Sequence, residues 1–399
     1  MNNVGNQKQK SERIGNIMLA SKHTIYLTKN HTLTESENAS SNVFMFNENG
    51  PALQAQWVRK NIELNDGCFV ILDHKKAIAR EAERGLLKRN YYIEEVNLSD
   101  MKNGISVNPF DLVRDTSEIH FMFINFLYAM WDNADQDITA MSNLMDAFAS
   151  CIFFMFSEQK DKMNMETMRK MVYSVRATCQ TENGIVPLSD AIFANIKDQD
   201  SMPCKYYAQF KRAAGERFHE VAEKVAKVFD MFTDSDMEMM SVTDESLVDS
   251  FNFKTAVFVN VEREEEEHSA KLLIVLLNYF IQRVANHAKV MFVLDGLDAK
   301  NTLVSLPHWM KESAEHDMSF VVINDDLTEF KAQPRSEKFF RNLQKTVVAS
   351  VLVHHNDVAV KFANRLPTND EEMSELMEQE YIANVLIPAE GISEQDELF

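Results

Sequence analysis

The sequence predicts an α/β fold: a parallel sheet covered by helices and interrupted by an all-helical insert. Three observations carry this expectation. Short apolar runs at Val43–Phe46, Cys68–Leu72, Val290–Leu294 and Ser319–Ile323 alternate with stretches of helical length, as expected for strands buried on both faces. Between residues 115 and 232 strand patterning nearly vanishes, while Met and Phe recur at helical spacing, as in Met165, Met168, Met171 and Val172. The strand–helix alternation then resumes at Lys254–Val261.

Taken in order, residues 1–16 are polar and expected to be disordered, His23–Thr28 reads as a strand, and Lys29–Ser41 reads as a polar loop. Val43–Phe46 is followed by a polar turn with Gly50-Pro51, a helical run through Trp57 and Val58, and the strand Cys68–Leu72. Strand, turn, helix, strand is the opening of a nucleotide-binding α/β domain. Asp73-His74-Lys75 is expected as a polar loop at the sheet edge. Ile78, Ala82, Leu86 and Leu87 place a helix over Ala77–Lys88, and Ile93–Leu98 reads as a strand leading to a loop that closes at Asn108-Pro109-Phe110. The insert should hold five or six helices, its Met and Phe stripes serving as core. Beyond it come a helix over Ser269–His287, a polar helix over Leu303–Glu315, a helix near Ser336–Gln344 and a strand over Thr346–Val353. The expected division is therefore an α/β domain of residues 17–114 and 250–366, a helical insert of 115–249 and an acidic tail of 367–399.

Composition narrows the function classes. The 399 residues carry a net charge of −20, which opposes a surface that grips nucleic acid throughout. Half of that charge lies in residues 367–399, which hold ten acidic side chains and no Lys or Arg. The chain has only ten Gly, so Gly-rich phosphate loops are scarce, and 23 Met supply flexible apolar filler. Cys68, Cys151, Cys179 and Cys204 lie far apart without CxxC spacing, the pattern of reduced thiols in a cytoplasmic protein. The longest apolar runs, Ile119–Trp131, Ala147–Phe156 and Leu272–Ile281, are too short to cross a hydrocarbon layer of about 30 Å.

Candidate functional residues cluster around the first turn. A phosphate-binding turn normally reads GxxxxGK[ST]: amides surround the phosphates, a Lys meets their outer oxygens and a hydroxyl holds Mg²⁺. With the turn starting at Asn47, Gly50 lies inside it, Ala52 takes the second Gly place, Leu53 the Lys place and Gln54 the hydroxyl place. Asp295, at the end of an apolar strand, is the candidate metal-side carboxylate, although a strand-end Asp also caps the turn that follows it. Other clusters favour plainer readings. His354-His355 with Asp357 is a poor metal set, because adjacent histidines on a strand point to opposite faces. Glu262–Glu267 reads as a solvated helix start. Lys205, Lys211, Arg212 and Arg217 form a modest basic cluster on one helix that could touch DNA phosphates.

In order and spacing, these pieces resemble the coupling proteins of type IV secretion systems, RecA-like ATPases of conjugative DNA transfer, over residues 14–355. The matching pieces are Asn42-Val43 before the turn, Ile71–Lys75, Val96-Asn97-Leu98 with Asn108-Pro109-Phe110, Tyr206–Gly215 in the insert, Lys254–Val259 and Phe292–Asp295. The resemblance implies a RecA-like P-loop-type sheet and an ATP site, and the chain departs from the family at that site. Leu53 cannot neutralise a phosphate, Gln54 lacks the hydroxyl, Gly296 stands where the family carries the Glu that orients water, and Asn324-Asp325-Asp326 stands where it carries a Gln-rich sensor.

These departures lead to the expectation of a pseudo-ATPase: a scaffold or regulatory subunit in conjugative DNA transfer, with no catalytic residues, no metal and no bound cofactor. Gly50, Leu53, Gln54 and Asp295 then mark a vestigial nucleotide site. The expected partners are protein subunits of the transfer apparatus, an active coupling ATPase among them, and the expected location is cytoplasmic or peripheral at the inner face of the membrane through a partner. Two alternatives stand beside it: an ATPase that completes its ATP/Mg site with a partner subunit, and a DNA-binding module using the helical insert.

Overall fold

The structure is a computed structural model. It describes residues 16–17, 24–28, 31–34, 42–47, 51–74, 76–98, 106–113, 115, 138–182, 184–230, 232–242, 251, 253–261, 266–284, 289–296, 305–313, 315–324, 342–343, 346, 349–354 and 357–361. The expectations for residues 1–15 and 367–399, and for the run Ile119–Trp131, lie outside the described residues.

The strands are β1 (Asn16–Ile17), β2 (Thr24–Thr28), β3 (His31–Thr34), β4 (Val43–Asn47), β5 (Cys68–His74), β6 (Tyr92–Asn97), β7 (Thr178–Thr181), β8 (Gly184–Pro187), β9 (Thr255–Val261), β10 (Val290–Asp295), β11 (Met318–Asn324), β12 (Ala349–His354) and β13 (Asp357–Lys361). Eight of them form one sheet in the order β13-β12-β4-β11-β10-β5-β9-β6. Every neighbouring pair from β12 to β6 is parallel, and only β13 returns antiparallel on β12. Strands from before and after the insert interleave, so the sheet closes only once the chain has returned from it.

Side-chain alternation divides the core between the two faces. Val43, Met45, Phe69, Ile71, Phe258, Met291, Val293, Val321 and Ile323 point to one face, where they meet α1 (Pro51–Leu64) and α2 (Ala77–Lys88). Phe44, Val70, Leu72, Val257, Val259, Phe292, Leu294, Phe320 and Val322 point to the other. The bounds of α2 match the sequence expectation residue for residue. Of its expected stripe, Ile78, Ala82 and Leu86 are buried, whereas Leu87 in the last turn is exposed.

The insert contributes α3 (Ile138–Glu158), α4 (Met165–Arg176), α5 (Leu188–Ala194), α6 (Met202–Ala214), α7 (Phe218–Asp230) and α8 (Asp234–Met239). The expected Met stripe of α4 is buried. One short hairpin, β7 with β8, qualifies the all-helical expectation: Gly184 at φ 109° supplies the tight return. The apolar cluster runs without a break from the second sheet face into these helices, joined by Phe148, Phe153, Phe210 and Phe229. After the insert come α9 (Glu266–Val284) and α10 (Leu306–Lys311), the latter shorter than the expected Leu303–Glu315.

Two other differences have local causes. β3 lies within the segment expected to be a polar loop, because His31–Thr34 pairs with β2 and with β1 in a separate three-stranded sheet. β13 follows β12 after two residues, and its alternating DVAVK fits an edge strand.

Candidate functional site

The candidate nucleotide site is set by the C-terminal ends of three adjacent strands. β4 ends at Asn47, β11 at Asn324 and β10 at Asp295, with β11 between the other two. Asn324 lies opposite Phe46, and Asp295 opposite Ile323. The Asp295 end is therefore two strand spacings, about 10 Å, from the chain that leads into the turn.

The turn itself is short. β4 ends at Asn47 and α1 begins at Pro51, so Pro51, Ala52, Leu53 and Gln54 are all helical. Gly50 lies outside the described residues. Pro51 was expected in a tight turn and is instead the first helical residue, where its fixed φ suits the helix and its missing N–H costs nothing. For phosphate binding the same residue is a loss, because it removes one amide from the stretch that would surround the anion. The first turn of α1 offers backbone amides at Ala52, Leu53 and Gln54, with no cationic side chain and no hydroxyl.

Asp295 is buried at 8% exposure, and Gly296 follows it at φ 72° with its N–H donated to the Ile323 carbonyl at 3.0 Å. That backbone conformation is one that side-chain-bearing residues avoid. Gly in place of an acidic residue is thus built into the strand end.

Asp73 sits at the end of a strand in the sheet interior and is completely buried, which corrects the expected polar loop at the sheet edge. Its carboxylate accepts the Ile78 amide at 3.0 Å and the Ala79 amide at 2.7 Å, so it anchors the start of α2. Lys76, in a left-handed conformation, pairs with Glu95 at 2.7 Å, and Lys75 lies outside the described residues.

Two further motifs prove to be structural ties. Asn42 is fully buried: its amide donates to the Met310 carbonyl at 2.6 Å, to Ser313 Oγ at 3.2 Å and to the Thr346 carbonyl at 3.2 Å, and its Oδ1 accepts the Phe320 amide at 3.1 Å. In Asn108-Pro109-Phe110, the Asn108 amide donates to the Met163 carbonyl at 2.8 Å and its Oδ1 accepts the Phe110 amide at 3.2 Å, tying the sheet's exit to the insert. Sequence reasoning marked both motifs without finding these roles. The available signal was an Asn beside an apolar run.

The basic cluster does not lie on one helix. Lys205, Lys211 and Arg212 belong to α6, whereas Arg217 ends a 3-10 turn beyond it. Lys211 is held by Asp190 at 2.7 Å, and Arg217 by Glu220 at 2.7 Å, so half of the cluster is already paired. On α6, Tyr207 donates to Asp190 at 2.7 Å and lies 2.6 Å from Ser189 Oγ. Burial there pushes its phenol well above the usual range. His354 ends β12 opposite Asp357, the first residue of β13, and His355 lies outside the described residues. Among the described residues no helix is long and apolar enough to cross a membrane.

This arrangement has counterparts among solved structures. The unbound monoclinic form of the bacterial conjugative coupling protein TrwB superposes with a TM-score of 0.60 at 10% identity, over 86% of this chain and 75% of that one. The fold is that of a conjugative coupling protein. Plasmid coupling protein TrwB in complex with the ATP analogue ADPNP gives a TM-score of 0.58 at 12% identity, over 86% and 76% of the two chains. Its complex with ADP and Mg²⁺ gives 0.57 at 12% identity over the same shares. No protein-family model and no curated protein sequence matches the chain. The coupling-protein fold agrees with the RecA-like P-loop-type sheet expected from sequence, interrupted by a helical body. TrwB is seen with nucleotide on this fold, whereas here Leu53 and Gln54 stand in the first turn of α1.

Proposed function

We propose that this chain is a hydrolysis-deficient relative of the type IV secretion coupling proteins, serving as a scaffold or regulatory subunit of a conjugative DNA-transfer apparatus. One observation carries the reading: the turn that would hold a triphosphate is a helix start reading Pro51-Ala52-Leu53-Gln54, with neither cation nor hydroxyl. A triphosphate placed there would meet the positive end of a helix in place of a Lys, worth a fraction of what a charge-assisted Lys contact supplies. Gly296 at φ 72° supports the same conclusion at the opposite side of the site. The long buried strands survive, so a partner-binding body remains after the chemistry is gone. Proteins of the transfer apparatus, an active coupling ATPase foremost, are its proposed partners, reached at the cytoplasmic side of the membrane.

Isothermal titration of the full chain with ATP and Mg²⁺ tests the proposal. No binding at micromolar ligand is expected, and a micromolar dissociation constant would overturn it. Retention of Asp295 favours a second reading, an ATPase whose site is completed by a partner's Lys or Arg. ATP turnover by the mixed assembly that disappears on Asp295→Ala would establish that reading in place of the first.

A further inference from the structure

Away from the vestigial site, at the N-terminal ends of the strands, the molecule carries a surface that its fold does not use. Leu64 closes α1, Leu87 lies in the last turn of α2, Tyr92 opens β6 and Phe253 precedes β9, and their exposures are 49%, 55%, 61% and 61%. They surround one set of strand starts. Phe253 meets Tyr92 edge-on at 6.0 Å, and its carbonyl receives the Cys68 thiol. The Tyr91 hydroxyl donates to the Gly67 carbonyl at 2.9 Å, and Arg89 donates to the Ile62 carbonyl at 2.6 Å. Large apolar side chains left exposed together in this way mark an interaction surface.

The charge of this rim opposes that of the protein as a whole. Lys88 forms no salt bridge among the described residues, Lys254 adds to the field of Lys289 that holds the Asp66 carboxyl below its usual range, and Arg89 and Lys254 lie over the Tyr91 ring at 5.2 and 5.6 Å. Lys289 is held by Asp66 at 3.3 Å, and Glu63 is engaged by Lys60 at 3.2 Å. A cationic, aromatic rim on a chain of net charge −20 fits an acidic segment punctuated by apolar residues.

The chain itself contains such a segment. Residues 367–399 hold ten carboxylates and no Lys or Arg, interrupted by Tyr381-Ile382 and Val385-Leu386-Ile387. The last described residue before it, Lys361, lies at that same end of the sheet. β13 runs antiparallel to β12, so Lys361 lies opposite Ser350, one residue from the start of β12. All parallel strands begin at that end, including β6. Seven strand spacings, about 34 Å, separate β13 from β6. The twenty residues from Lys361 to Tyr381 can span up to about 66 Å.

We propose that the rim formed by Leu64, Leu87, Tyr92 and Phe253 with Lys88 and Lys254 is the docking surface for this chain's own acidic segment, residues 367–399. An external basic partner that captures the segment would expose the rim, and an acidic partner would compete for it. The proposal is independent of whether nucleotide binds at α1.

Photo-crosslinking in the full chain tests it, with Tyr92→p-benzoylphenylalanine as the probe and circular dichroism to confirm folding. Irradiation is expected to give adducts with peptides of 367–399, reduced at least fivefold by Lys88→Glu with Lys254→Glu and by 0.5 M salt. Neutralising Glu371, Glu372 and Glu375 to Gln should give the same loss without touching the rim. Mixed isotopic labelling separates docking within one chain from docking onto a second copy, and either result keeps the segment as the occupant. Adducts confined to other parts of the chain, or a yield insensitive to both sets of substitutions, would overturn the proposal. So would flotation of the unsubstituted chain on phosphatidylglycerol vesicles that is lost with Lys88→Glu and Lys254→Glu, which would assign the surface to lipid.

Discussion

The Asp73 carboxylate takes the Ala79 amide at 2.7 Å while fully buried, so a charge at the end of an interior strand fixes the start of the helix that follows. Such bonds combine charge assistance with the favourable field at a helix N-terminus. Asp73→Ala should lower stability by about 2 kcal/mol, because two helix amides lose their acceptor. Asp73→Asn keeps one acceptor oxygen and should lose about half as much. Urea denaturation followed by circular dichroism measures both, and equal midpoints for the two variants would contradict this role.

Asn42 should be less forgiving. Its amide shares two N–H donors among three acceptors and its Oδ1 receives the Phe320 amide, linking β4, α10, β11 and the chain at Thr346. Asn42→Ala strands buried groups on several elements at once and should cost about 3 kcal/mol. Asn42→Asp keeps only the acceptor function and faces three oxygens with a negative charge, so it should fare no better. Thermal melts of the two variants decide the matter, and a milder effect for Asp would show that only the Phe320 contact counts.

Local patterning made α2 and the interior strands legible, because in those segments a continuous apolar run or a stripe at Ile78, Ala82 and Leu86 is the whole physical signal. β3 and β13 escaped because HTLT and DVAVK are short and carry no continuous apolar run. The β7–β8 hairpin escaped for the same reason: Ile185 is 72% exposed. At the site, the missing cation and hydroxyl at Leu53 and Gln54 could be read from sequence. The start of α1 at Pro51 and the left-handed backbone at Gly296 could not, since both depend on where the helix and strand ends fall.

Two glycines should respond oppositely to alanine. A Cβ on Gly67 would lie 2.6 Å from the Lys289 carbonyl oxygen, which also accepts the Cys68 amide, so the β5 and β10 starts would have to separate. Gly67→Ala should destabilise by about 1–3 kcal/mol. Gly85 lies within α2, and a Cβ there meets nothing within 4 Å. Gly85→Ala should stabilise by about 0.5–1 kcal/mol through the unfolded chain. Chemical denaturation of both variants reports the signs.

The four thiols should separate by burial. Cys151 is fully buried and its thiol is pushed up to about 12, and burial also raises the Cys68 thiol. Both therefore stay protonated at pH 8, and the thiolate is the reactive form. Cys204 is buried as well, whereas Cys179 on the β7–β8 hairpin is half-buried. A disulfide-exchange reagent at pH 8 should modify one thiol in the native chain and four in guanidinium. Cys179→Ser should remove the fast native reaction, and rapid labelling of Cys151 would contradict the packing around α3.

Restoring two side chains should not restore a nucleotide site. Leu53→Lys with Gln54→Ser returns the cation and the hydroxyl to the first turn of α1, yet Pro51 still withholds an amide and Gly296 still follows Asp295 at φ 72°. Adding an acidic side chain at Gly296 would itself cost about 1–2 kcal/mol of backbone strain. The double variant is therefore expected to show no micromolar heat of ATP binding by titration calorimetry. Micromolar affinity in that variant would show that the turn retained a working cradle and lacked only its charge. The backbone argument would then fail, whatever the unsubstituted chain binds.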